Sequence, residues 1–161
     1  MASMQQGTDA LFLDLSFMDQ AHQQFLELLV AIAQADDRAL PDAWRRLVEC
    51  ADIGFGRENA WMETTGFASR KAHIVQHRVV LEVMREGLVQ AREGRLLQVR
   101  EMASQFRSWY LKHVQSMDAG LALHLRSARF EPANGMDDAG LRTMPSMPAP
   151  APAANEVAIS P

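Results

Sequence analysis

The sequence lacks the features that announce several common classes of protein. It has one cysteine in 161 residues, which excludes a disulfide framework and a cysteine-only metal cluster. Long apolar runs are missing too. The longest, Leu28 to Ala33, is far short of the roughly 20 residues needed to cross a bilayer. No Lys or Arg precedes Arg38, so the positively charged start of a secretory signal is absent. Nor is positive charge in excess: a net charge of −4 argues against nucleic-acid or anionic-membrane partners, both of which reward basic patches. These absences lead us to expect a soluble, cytoplasmic protein in a reducing compartment. The length suits one domain with a proper core.

Proline is scarce where structure is expected and abundant where it is not. Six of the seven prolines lie at or beyond Pro132, and Pro145 to Pro152 alternates Pro with Ala, Ser and Met. Such a segment cannot bury enough apolar surface to offset its ordering entropy, so residues 132–161 are expected to form a flexible tail. No alternating apolar and polar stretch is long enough to read as a strand. Four segments instead carry apolar residues at helical spacing.

The first runs from about Asp19 to Ala35, with Phe25, Leu26, Leu29, Val30 and Ala33 on one side and Asp19 as its expected N-cap. The second runs from about Pro41, well placed in a first turn, to Thr64, with Gly66 as its expected C-terminal cap. The third, about Ser69 to Glu93, presents His73, His77, Val80, Met84 and Leu88, with Ser69 and Gly94 at its ends. The fourth, about Arg95 to Arg129, presents Met102, Phe106, Trp109, His113, Met117 and Leu121. Short connections favour antiparallel neighbours, hence an all-α, up-down-up-down four-helix bundle over residues 19–131. Residues 1–18 are expected to pack across it as an irregular N-terminal arm.

The five histidines are ordinary in number and unusual in position. His73 and His77 form an i, i+4 pair that leaves one helix face about one turn apart, which lets two imidazoles reach one metal ion. His22 and His113 sit on the inward stripes of the first and fourth helices. Glu58 falls on the inward face of the second, where an unpaired carboxylate is costly to bury. Asp118 follows His113 by five residues, about 140° round an α-helix, and is expected to reach the site from a different side. Two buried carboxylates call for cationic partners that neutral imidazoles cannot provide. Bound metal meets that need, and an imidazole and carboxylate set suits iron better than a soft-metal site would. A buried, hydrogen-bonded polar network is the alternative.

The runs DQAHQQF (19–25), GFGRENAWM (54–62), HIVQH (73–77) and HVQSMD (113–118) resemble the motifs of bacterial hemerythrins, in order and separation, over about residues 17–127. The resemblance implies a four-helix bundle around a bridged, non-haem di-iron centre that binds dioxygen or a related small molecule. By position it implies that His73, His77 and His113 ligate one iron. It makes Glu58 and Asp118 bridges and gives the second iron to His22. It places Phe55, Trp109, Tyr110 and Val114 around the oxygen pocket.

The sequence departs from the family at one ligand. The His expected four residues before Glu58 is Gly54, which offers no side chain, and a mid-helix glycine costs about 1 kcal/mol relative to Ala. The second iron is therefore expected to be labile or absent. His124 lies roughly 16 Å along the axis from His113, too far to substitute. Cys50, one turn before Gly54, reads better as a buried apolar residue. Tyr110 is the best substitute, as a phenolate ligand or hydrogen-bond donor, and water in the gap is simpler still. Two functions stay open: an oxygen-binding, storage or sensing protein, and a metal-stabilised or degenerate signalling or scaffold module. No phosphate loop, nucleophile–base pair or organic-substrate pocket is legible, so no enzyme is expected, with peroxide or nitric-oxide chemistry at the open iron as the alternative.

Overall fold

The computed structural model describes residues 11–132. Residues 1–10 of the expected arm, and the expected tail from residue 133 onward, lie outside the described residues. Helix α1 spans Ser16–Gln34, α2 Leu40–Thr64, α3 Arg70–Arg92 and α4 Leu96–His113. A π-helical turn, Val114–Asp118, carries α4 into α5, Ala119–Ser127, so that the three form one continuous fourth rod. No strand occurs among the described residues. Helix α1 packs on α2 and α4, and α3 packs on α2 and α4, which closes a four-helix bundle.

Helix ends follow local chemistry. Gly66 (φ +68°) and Gly94 (φ +80°) take the left-handed conformation that a residue with a Cβ resists. In each case the next residue donates back five positions, Phe67 N to Met62 O and Arg95 N to Gln90 O, both at 2.9 Å. These bonds satisfy carbonyls that the helix end leaves unpaired. Ser69 precedes α3 but makes no side-chain capping bond.

Helix α1 starts three residues before the position that Asp19 suggested. Asp19 lies inside the first turn, and its carboxylate reaches back to accept from Leu13 N (2.7 Å) and Leu15 N (3.1 Å). An acceptor there meets otherwise unpaired N–H groups at the positive end of the helix dipole, so Asp19 ties residues 13–15 to the helix rather than beginning it. Arg126 donates to Leu13 O from the fourth rod and fastens the same segment.

The interior is layered. One apolar cluster contains Phe25, Leu29, Trp44, Leu47, Met84 and Phe106, and a smaller one contains Met18, Trp61, Met62, Leu121 and Leu125. Along every rod the chain passes from one cluster to the other through a polar residue: His22 in α1, Glu58 in α2, His77 in α3, and His113 and Asp118 in the fourth. Trp44 anchors the larger cluster. It is fully buried, its indole N–H donates to Met84 O at 2.8 Å, and its ring lies flush against the α3 backbone at Gly87. A Cβ at Gly87 would stand 2.5 Å from the ring, so only glycine fits there.

Candidate metal centre

The polar layer between the two clusters is almost dry. His22, His73, His77, His113, Glu58 and Asp118 are all 5% exposed or less. Helical spacing explains the first part of the arrangement: His73 and His77 leave α3 on one face, and both Nε2 atoms lie 3.1 Å from His113 Nε2. Glu58 Oε2 stands 3.2 Å from His77 Nε2, and Asp118 Oδ1 stands 3.0 Å from His73 Nε2 and 3.1 Å from His113 Nε2. One donor atom from each of these five residues lies within 4.8 Å of all the others. His22 stands outside this group of five and joins it through Asp118, whose Oδ2 is 3.2 Å from His22 Nε2.

Asp118 corrects the α-helical expectation. It faces the same site as His113, not a different side, because the chain widens between them. Ala119 N–H donates to Val114 O, five residues back, which is the hydrogen bond of a π turn. At roughly 80° per residue in such a turn, five residues come close to one full revolution. The extra residue thus swings a carboxylate under the His113 ring. π-Helical turns of this kind occur mostly as single turns inside α-helices, frequently at functional sites.

The outward nitrogens fix the rings. Asn59 Oδ1 accepts from His77 Nδ1 at 2.9 Å, Gln76 Oε1 accepts from His113 Nδ1 at 3.2 Å, and Leu11 O accepts from His22 Nδ1 at 3.3 Å. With the proton held on Nδ1, a neutral ring turns an Nε2 lone pair inward. Asn59 and Gln76 carry no role in the sequence reading, although both lie inside its motifs. Their signal was adjacency to a candidate donor, which says nothing of the ring each one meets across the bundle.

Charge in this layer is poorly matched without an ion. Burial, followed by the neighbouring Asp118 charge, pushes the Glu58 carboxyl well above the usual carboxylate range. Burial pushes Asp118 upward as well, yet the close approach of the His113, His22 and His73 rings holds it well below that range. Burial, with His73 and His113 beside it, lowers His77 to about 3. The close contacts also lack hydrogen-bond alignment: Glu58 Oε2, Asp118 Oδ1 and His73 Nδ1 have no hydrogen-bond partner. Orphaned oxygens beside lone pairs that face one another are a poor polar network and a good donor cage. Donors bonded to one first-row ion at about 2.0–2.2 Å lie about 3 Å apart, so the observed edges fit a metal.

Aromatic rings wall the donors. Phe55 stacks on His77 (centroids 4.1 Å apart, 6° between planes), and Trp109 stacks on His113 (4.7 Å, 24°). Val114 is fully buried, and Tyr110 is buried and stacked on Phe25 at 3.9 Å. Burial, then Asp118 and Glu58, raises the Tyr110 phenol, so the ring offers a neutral O–H rather than a phenolate. Cys50 is free and half-buried against the larger cluster, with a thiol pushed up to about 11 by burial. His124 lies away from the centre, where its Nε2 meets Thr65 Oγ1 (3.0 Å) and Thr65 O (3.2 Å) just past the end of α2. A Cβ placed at Gly54 would meet nothing within 4 Å.

No helix among the described residues is long and apolar enough to cross a membrane. No family model and no solved structure matches the chain. Among curated proteins, it is 31% identical over 113 residues to a bacteriohemerythrin of Ralstonia nicotianae (strain ATCC BAA-1114 / GMI1000). The match spans 70% of this chain and 82% of that protein. Taken with an all-helical bundle whose core carries a cluster of histidines and carboxylates, that match shows that the chain belongs to the bacteriohemerythrin family.

Proposed function

We propose that this protein binds dioxygen or a related small molecule at a non-haem iron centre altered at one ligand. In this reading His73, His77 and His113, with Glu58 and Asp118, hold the first iron. His22 and the remaining carboxylate oxygens face a second position, to which Gly54 contributes no donor. The orphaned, buried Glu58 Oε2 and Asp118 Oδ1 carry the reading, because a protein does not keep two such oxygens among imidazole lone pairs without a cation. The donor set holds nitrogen and oxygen and no thiolate, which suits iron.

Bound iron supplies the redox couple for oxygen chemistry. The chain's own residues do the rest. Asn59 and Gln76 hold the imidazoles of His77 and His113 with lone pairs inward. Leu11 O does the same for His22. Phe55, Trp109 and Val114 exclude bulk water from the His77 and His113 side, and Tyr110 keeps a protonated phenol in the wall near His22. We place this function in the bundle of residues 19–131.

The vacancy at Gly54 favours a second reading, in which the metal serves only to stabilise a signalling or scaffold module. One experiment separates the two. Load the protein anaerobically with ferrous iron, count iron per chain, admit oxygen, and follow the visible spectrum through degassing. A band that appears with oxygen and vanishes on degassing supports oxygen binding. No oxygen-dependent change, together with unfolding on chelation, supports the scaffold.

A further inference from the structure

Phe55 of α2 and Trp109 of α4 cover the His77 and His113 rings, whereas the seam between α1 and α2 is not filled. A narrow cleft with about 30 Å³ of room for water lies in that seam, lined by Met18 and Ala21 of α1 and by Gly54, Arg57, Glu58 and Trp61 of α2, among others. That is enough room for at least one water molecule. Glu58 belongs to both the cleft and the donor cluster, is 95% buried by its 5% exposure, and has an Oε2 with no hydrogen-bond partner. Two larger surface depressions, one along α1 from Ser16 to Glu27 and one between Leu29 and Arg107, contain no residue of that cluster.

We propose that the Gly54 cleft is a ligand port. It admits one small oxygen or nitrogen donor from solvent, a water at rest and a small anion in exchange, to the face of the centre that a side chain at position 54 would cover. Three observations combine here. Position 54 lies one helical turn from Glu58 on the same face. A Cβ at that position meets nothing within 4 Å, and Gly54 itself lines the cleft, so no neighbour fills the space a side chain there would take. Arg57 lines the same cleft, so a cationic side chain borders it together with the Glu58 carboxyl. Loss of the side chain thus does more than remove a donor: on this proposal it leaves the seam between α1 and α2 as the way in for a small ligand.

The port rests on the metal reading above, and its test separates the two. Load the full chain with Mn(II), determine metal per chain, and measure water-proton relaxation with and without azide. Gly54→Leu extends a side chain into the cleft. Gly56→Leu, on the same helix and also with open space around its Cβ, lies outside the cleft and serves as control. Relaxation enhancement in Gly54→Leu should fall at least about twofold at unchanged metal content, with azide binding weakened about tenfold. Gly56→Leu should match the unmodified protein. Equal relaxation and azide binding in Gly54→Leu and the unmodified protein, or equal losses in both variants, would overturn the port and leave the metal reading standing. Metal loss confined to Gly54→Leu would also overturn the port, since position 54 would then support the ion itself. Failure of the unmodified protein to bind metal would overturn both.

Discussion

Glu58 is where metal binding and stability pull in opposite directions, and Glu58→Gln measures the conflict. The amide has the shape of the carboxylate, no charge, and an N–H that His77 Nε2 can accept across the present 3.2 Å separation. In metal-free protein the substitution removes a buried acceptor that lacks a partner, a feature worth about 1–3 kcal/mol. For a bundle of this size a gain of 1 kcal/mol raises Tm by roughly 3–6 °C, so the metal-free variant should melt about 3–18 °C higher. The pH dependence has a definite sign. A carboxyl whose folded pKa is raised takes up a proton on folding, so the penalty of keeping Glu58 is absent below its unfolded value. That penalty grows by about 1.4 kcal/mol per pH unit until the folded value is passed. The advantage of Glu58→Gln should therefore be smallest near pH 4.5 and widen toward alkaline pH. With metal the order reverses: loss of an anionic donor should weaken binding beyond the roughly 10–100-fold typical of outer-shell partners. Calorimetric melts of chelator-treated and metal-loaded protein from pH 5 to pH 9, with a metal titration, read both effects. Lower stability of the metal-free variant at every pH, or unchanged metal affinity, would refute the reasoning.

Three further outcomes follow from other parts of the molecule. Gly54→His should raise iron content toward about one further equivalent per chain by restoring an imidazole one turn from Glu58, as measured by metal analysis after anaerobic loading. Gly87→Ala adds about 1 kcal/mol of helix propensity but drives a Cβ to 2.5 Å from the Trp44 ring. Overpacking of 1–3 kcal/mol plus a strained Trp44–Met84 hydrogen bond should leave the variant about 1–2 kcal/mol less stable in urea titration. Cys50, with its thiol raised from 9.0 to about 11 by burial, should alkylate at pH 8 about 100-fold more slowly than a free thiol. The same shift should cost the fold about 1.4 kcal/mol per pH unit between pH 9 and about 11, a loss that Cys50→Ala removes.

Much of the fold was legible because periodicity reports burial directly. The stripes through Phe25, Val80 and Phe106, with the segment that Pro41 opens, identify the four rods, and Gly66 and Gly94 mark two ends through a conformation that glycine reaches most easily. Positions that depend on partners distant in sequence were not legible. Gly87 is invisible to a hydrophobic pattern, since its role is to leave room for Trp44, 43 residues away in the chain by the difference of their numbers. Asp19 carries the residue type of an N-cap, yet its carboxylate works from inside the first turn. In the site, the i, i+4 pair His73 and His77 followed from spacing alone. The placement of Asp118 did not, because a π turn has no strong local signature and α-helical arithmetic turns the carboxylate away.

That π turn also explains how a bundle of straight rods can carry this layer at all. In a regular fourth helix His113 and Asp118 could not share a site, and the carboxylate would be buried against apolar neighbours. One extra residue brings Asp118 Oδ1 to 3.0 Å from His73 and 3.1 Å from His113, and turns Oδ2 toward His22 at 3.2 Å. A single carboxylate then spans the group of five donors and the outlying histidine, and these contacts reach across α1, α3 and the fourth rod. Without an ion the result is unfavourable, with orphaned oxygens and facing lone pairs held in place by the apolar clusters on either side. Backbone irregularity, missing hydrogen bonds and burial therefore have one common cause, a layer shaped for a cation rather than for the stability of the chain alone.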